Sequence, residues 1–165
     1  MSAGANPTDD GPEPRRGTYA LILRSESTRR VRIGRLGNMT LYPGFFVYVG
    51  GAFGPGGLRA RVGHHLKKAH RPRWHVDFLR RHTRPVEVWY TYDPTRREHQ
   101  WAQALTTLRG ASVPLPGFGS SDCRCCAHLF RFAVRPGLRT FVKRIRSTCD
   151  GHGEVASIVI AHRQT

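Results

Sequence analysis

With 27 Lys and Arg against 11 Asp and Glu, the 165 residues carry a formal net charge of +16. That length suits one domain with tails and a modest core, and that charge attracts polyanions, nucleic acid above all. No apolar run approaches the roughly 18 residues of a membrane span, and no strongly apolar amphipathic helix accompanies the charge, which excludes a membrane partner and leaves DNA, or RNA, as the expected one.

The charge is unevenly spread. No acidic residue occurs from Ser27 through Val76, while arginines recur throughout that stretch. Only Lys67, Lys68 and Lys143 are lysines, so a GC-rich coding bias is the competing source of the basicity. Residues 1–16, rich in Gly, Pro, Asn and Asp, read as a disordered lead-in without the apolar segment of a secretory signal. The four cysteines fall at 123, 125, 126 and 149. Crowded thiols seldom staple a fold, so the expected setting is reducing and cytoplasmic.

In chain order, residues 17–24 read as a buried strand that begins near Tyr19. Residues 31–33 and 39–42, either side of Gly34 and Gly37, predict a hairpin. Residues 44–50 form the next central strand, and the run Gly51 to Gly57 turns the chain tightly into a helix over 58–68. That helix sets Arg61, His65 and Lys68 on one side and Leu58, Val62 and Leu66 on a core-facing side. Residues 74–79 are a short helix or a turn, and 86–92 return as a strand beyond Pro85. Asp93-Pro94-Thr95 opens a helix reaching to 108, with Trp101, Ala102, Leu105 and Leu108 in a stripe and Gly110 as its stop. Residues 128–134 are a strand, 138–146 a basic amphipathic helix, and 157–161 a short final strand. The expected organisation is one domain over 17–148 with a C-terminal extension over 149–165. No internal repeat is present.

Several side chains point to phosphate chemistry. Tyr48 ends a strand at the glycine-rich break, and Tyr19 begins the other central strand. Taken singly, each tyrosine is equally a core ring with its hydroxyl at an edge. Arg61 offers a planar fork for phosphate oxygens, with Arg59, His64, Lys67, Lys68, Arg71 and Arg73 as neighbouring nucleic-acid contacts. Glu98 sits at the head of an apolar stripe, where an ionised carboxylate needs a partner. By spacing, Thr95-x-x-Glu98 is also a capping box, which would turn the carboxylate onto a backbone N–H. His75 and Asp77 are candidates for the site edge, against a packed Trp74 and a His–Asp hydrogen bond. Cys123, Cys125, Cys126 and His128 offer local donors but lack the second pair that zinc sites draw from elsewhere, so little zinc is expected.

Taken together, Gly17-Thr18-Tyr19, Tyr42-Pro43-Gly44, Tyr48-Val49-Gly50, Leu58-Arg59-Ala60-Arg61, Trp74-His75-Val76-Asp77 and Gly117-Phe118-Gly119-Ser120-Ser121-Asp122-Cys123 resemble the DUF123 branch of the GIY-YIG nuclease superfamily. Some members of that branch are fused to a base-excision endonuclease. The similarity runs over residues 17 to 134. The first motif has Thr in place of the eponymous Ile, the two motifs are separated by a longer insert, and Gly51 stands where the branch usually has serine. The resemblance implies an α/β fold with a small, mostly antiparallel central sheet flanked by helices. It also implies a metal-dependent DNA endonuclease, acting in repair alongside a partner repair enzyme, as a monomer or weak dimer. Its implied catalytic set is Tyr19, Tyr48, Arg61, His65 and Glu98, with Glu98 holding a single Mg2+ or Mn2+ and Ser121 and Asp122 at the edge. The alternative is a nucleic-acid-binding module that retains a degenerate nuclease pocket.

Overall fold

Two central strands carry apolar residues at almost every position, which is the pattern of a sheet covered on both faces. In the computed structural model, which describes residues 11–67, 71–120 and 127–161, β1 (Gly17–Ser25) is buried along nearly its whole length. It pairs antiparallel with β4 (Gly44–Ala52) through Tyr19↔Gly50 and Leu21↔Tyr48. On its other side it pairs antiparallel with β5 (Arg84–Thr91) through Tyr19↔Tyr90 and Leu21↔Val88. β6 (Leu129–Phe132) adds to β4 and β7 (Ala156–Val159) adds to β5. The five-stranded order is β6-β4-β1-β5-β7, antiparallel throughout. β2 (Arg29–Ile33) and β3 (Gly37–Leu41) form the expected hairpin as a separate two-stranded sheet.

Period-two alternation divides the core into two layers. Tyr19, Leu21, Leu23, Phe46 and Tyr48 face the hairpin and the helices α1 (Gly57–Leu66) and α2 (His75–Arg80). Ala20, Ile22, Val47, Val49 and Trp89 face α3 (Glu98–Thr106) and α4 (Leu138–Thr148). Phe141 of α4 stacks on Trp89 with centroids 4.9 Å apart and meets Trp101 of α3 edge-on at 5.1 Å. Such pairs add about 0.5–1.5 kcal/mol each beyond area burial. The result is the expected α/β architecture, a small antiparallel sheet between helical layers.

Several boundaries depart from the sequence reading, each for a local reason. Pro85 lies inside β5 rather than ahead of it, and the β1–β5 register shifts between Ile22 and Leu23, where the ring supplies no N–H to the ladder. α3 begins at Glu98, not near residue 95. Ahead of it, the Asp93 carboxylate accepts the Thr95 N–H at 2.9 Å, the Gly153 N–H at 2.8 Å and Arg97 Nε at 3.1 Å, which fixes an irregular turn. The buried stripe of α1 is Leu58, Val62 and His65, with Leu66 only half-buried, so His65 stands on the core side rather than with the polar residues. Residues 11–16, expected to be disordered, pack instead: Leu58 N–H donates to Arg15 O at 2.8 Å, and the Arg15 guanidinium lies 4.1 Å over the Tyr92 ring. The C-terminal extension returns to the sheet as β7, and Ile160 N–H donates to Val86 O at 2.9 Å.

Candidate active site

The end of β4 places a phenol, a guanidinium and a carboxylate around one opening. Tyr48, Arg61, Glu98, Gly119 and His128 line a cleft of about 380 Å³, with Arg96 and His99 at its rim. Arg61 arrives from α1 on one side of the sheet, and Glu98 arrives from α3 on the other. They meet because Glu98 is the first residue of its helix and overhangs the sheet where β4 carries Gly50 and Gly51. A Cβ at Gly51 would fall on Glu98 Oε1, and one at Gly50 would fall on the Tyr19 hydroxyl. Both side chains occupy space that only glycine leaves open.

Glu98 is not a capping residue. The residue ahead of α3 is Arg97, which makes no side-chain cap, and Thr95 is engaged by Asp93. The capping box that the spacing allowed is therefore absent. The Glu98 side chain is 13% exposed, and its ion pair is with Arg96 Nη1 at 3.8 Å, a side chain 69% exposed.

The two tyrosines differ in access. Tyr48 borders the cleft, and burial pushes its phenol up to about 12, against the lowering effect of the Arg61 charge. Tyr19 lies behind it, 1% exposed, with ring centroids 6.4 Å apart. The Tyr19 hydroxyl is 2.6 Å from His65 Nε2, and burial raises its pKa well above the ordinary value. His65 is likewise sealed at 1% exposed, and burial lowers its pKa to about 3, so the ring is neutral. Tyr19 and His65 thus pack as a pair behind Tyr48 rather than lining the opening.

The basic residues divide as well. Arg59 is turned away from the cleft, its Nε donating to Pro12 O at 3.2 Å, where it ties down residues 11–16. Lys67, Arg71 and Arg73 are exposed. Arg61 and Arg73 both lie against the Trp74 indole, at 4.3 and 5.0 Å from its centroid. Together with His64 and Trp74 they line a neighbouring cleft of about 350 Å³ that shares Arg61 with the first. His64 is turned toward α2. Its Nε2 lies 3.2 Å from Asp77 Oδ1.

Asp77 is buried and serves as a hub. Its Oδ2 accepts the backbone N–H of Arg73 at 2.8 Å and of Trp74 at 2.9 Å, which closes the start of α2. Although burial alone would raise the Asp77 pKa, these bonds and His64 bring it below the ordinary value. The imidazole partner of Asp77 is His64 and not His75. His75 Nδ1 instead accepts the Gly119 N–H at 2.9 Å, which holds the loop against Tyr48. Lys68, Ser121, Asp122 and the cysteines 123, 125 and 126 lie outside the described residues, while Cys149 is free and buried in the core.

Sequence reasoning did not anticipate His128, Arg96 and His99 at this cleft. His128 reaches it because β6 pairs beside β4: Val49 N–H donates to His128 O at 2.9 Å, and His128 N–H to Phe118 O at 2.8 Å. No local spacing encodes that pairing.

Fold and site together define an α/β protein with a basic, partly enclosed cleft at the end of an antiparallel sheet. The chain matches the family described as "Domain of unknown function DUF123" over residues 18–150 and belongs to it. No curated protein and no solved structure matches it. Among the described residues, no helix is long and apolar enough to cross a membrane.

Proposed function

We propose that this chain is a GIY-YIG-type endonuclease that hydrolyses phosphodiester bonds in DNA with a divalent ion. The observation that carries this reading is the convergence of Tyr48, Arg61 and Glu98 on a single cleft from three separate elements. A hard cation such as Mg2+ or Mn2+ takes one carboxylate together with water and phosphate oxygens. Glu98 fits that requirement: its carboxylate lines the cleft, heads its helix without a side-chain cap ahead of it, and holds that position only because residue 51 lacks a Cβ. An ion held by Glu98 would supply Lewis-acid polarisation of the phosphate and charge stabilisation at the leaving oxygen.

The chain's own groups account for the rest. Arg61 lies where two clefts meet and would fork onto the non-bridging oxygens of the scissile phosphate, holding the added charge of the pentavalent state. Tyr48 would orient the attacking water and receive its proton. Its phenol, raised to about 12 by burial, performs that role only when positive charge near the cleft lowers it again. Tyr19 and His65 would fix the ring from behind. His128 places an imidazole in the same cleft, with a pKa lowered by burial.

That raised phenol is also what favours the alternative, a nucleic-acid-binding module whose pocket no longer turns over. Incubating the purified full chain with nicked, branched, damaged and single-stranded DNA in Mn2+ separates the two. Cleavage that Glu98→Gln abolishes supports the nuclease; DNA retention without cleavage on every substrate supports the binding module.

A further inference from the structure

Beside the Glu98 cleft, three metal-type donors from two helices converge on one point. His64 Nε2 lies 3.2 Å from Asp77 Oδ1, His65 Nδ1 lies 3.9 Å from the same oxygen, and the three atoms fall within 4.8 Å of one another. We infer that His64, His65 and Asp77 form a binding site for a divalent transition ion, Zn2+ by donor type, separate from any ion held by Glu98.

Three observations support it. His65 Nδ1 is buried and has no hydrogen-bond partner among the described residues, in a side chain 1% exposed, and it lies 3.9 Å from Asp77 Oδ1. A polar atom orphaned in this way is costly unless something fills the gap. The outer contacts have the form that orients metal ligands. The other nitrogen of His65 bonds the Tyr19 hydroxyl at 2.6 Å, and the other oxygen of Asp77 is held by the N–H groups of Arg73 and Trp74. The donor set matters too, since two imidazoles and one carboxylate favour Zn2+ over Mg2+.

The distances suit the assignment. Zn–N and Zn–O bonds of about 2.0–2.2 Å in a tetrahedral site separate neighbouring donors by roughly 3.3–3.5 Å. The 3.2 Å edge already meets that spacing, the 3.9 Å edge meets it after a shift of about half an ångström, and the edge between the two imidazole nitrogens, within 4.8 Å, requires at most about 1.4 Å of closure. Binding the ion at His64 Nε2 would break the hydrogen bond to Asp77, with the imidazole proton carried on Nδ1. Arg80 and Arg61 stand nearby as opposing charges. Arg80 is directed onto the carbonyls of His65, Leu66 and Thr83, and Arg61 onto the Trp74 indole.

Three protein ligands leave a fourth position for an exchangeable group. His64, whose side chain is 36% exposed, opens that position to the 350 Å³ cleft shared with Arg61 and Arg73. Those cations select an anionic fourth ligand, hydroxide or a phosphate oxygen. Metal at Nδ1 also fixes His65 Nε2 as a donor to the Tyr19 hydroxyl, which links this site to the tyrosine pair.

The test is metal analysis of the full chain together with thermal melts in added Zn2+. The expected result is one zinc per chain, or a chelated protein whose Tm rises by about 5–10 °C at 100-fold excess over Kd. His64→Gln should abolish both while leaving the fold intact, because His64 is partly exposed. Asp77→Asn should do the same while retaining an acceptor for the α2 start. Cys125→Ser should retain the zinc. Co2+ in place of Zn2+ should give visible absorption bands that His64→Gln loses. Absence of zinc and of any melt shift in the unsubstituted chain overturns the site. So does zinc that survives His64→Gln and is lost in Cys125→Ser, which would put the ion on the cysteine cluster. Neither outcome bears on Glu98, because no DNA cleavage is measured.

Discussion

Replacing Glu98 with Gln removes one negative charge and almost no volume, so it separates chemistry from packing. The structure limits what else can change. Glu98 caps no backbone N–H, and its ion pair is with an exposed Arg96 at 3.8 Å, so the stability loss should lie within about 0–1 kcal/mol. Binding should persist, or tighten at low salt, because a carboxylate facing phosphate has been neutralised. Catalysis should behave differently. If Glu98 holds the ion that stabilises the leaving oxygen, removing its charge should lower kcat by at least about 10²–10³-fold, or roughly 3–4 kcal/mol of transition-state stabilisation. Gel-resolved cleavage of a labelled duplex across a Mn2+ titration, alongside a filter-binding isotherm, measures both quantities on one preparation. Full Mn2+-dependent cleavage by Glu98→Gln would refute the mechanism, while the fold and the cleft would stand.

Three further outcomes follow from the same geometry. Gly51→Ala places a Cβ on Glu98 Oε1, the far end of a flexible side chain. The chain should therefore fold with little change in Tm but lose at least about tenfold in metal-dependent activity; unchanged activity would mean that the carboxylate's position is immaterial. DNA affinity should fall linearly in log–log plots against salt, with a slope near −0.9 for each phosphate neutralised, and a flat response would assign the arginine content to coding bias. His65 titrates near 6.5 when unfolded and near 3 when folded, so between those values the unfolded chain holds more protons. In the metal-free chain, stability should fall as pH drops below about 6.5, with a slope approaching about 1.4 kcal/mol per pH unit toward pH 3. Urea midpoints should show this slope flattened in His65→Gln, and an identical slope in that variant would remove His65 as its source.

The sequence alone determined most of the elements, because those depend on short-range periodicity. The mostly apolar runs at 17–24 and 44–50 read as buried central strands, and the glycines at 34 and 37 marked the hairpin. It also singled out Tyr48, Arg61 and Glu98, since a phenol at a strand end, a guanidinium after a glycine-rich turn and a carboxylate heading an apolar stripe are each locally conspicuous. The choice between a capping box and an open carboxylate was not local. It was decided by Asp93, which captures Thr95 and Gly153 and so moves the helix start to Glu98 itself. Spacing likewise put His65 with the polar side of its helix, and only the packing of α1 against Tyr19 buried it. His64 and Asp77 are 13 residues apart, and α2 folding back against α1 joins them. His128 reaches the cleft through β6 pairing with β4, a contact between residues about eighty apart in the chain. Such long-range pairings depend on side chains from several elements packing at once, and no window of sequence contains them.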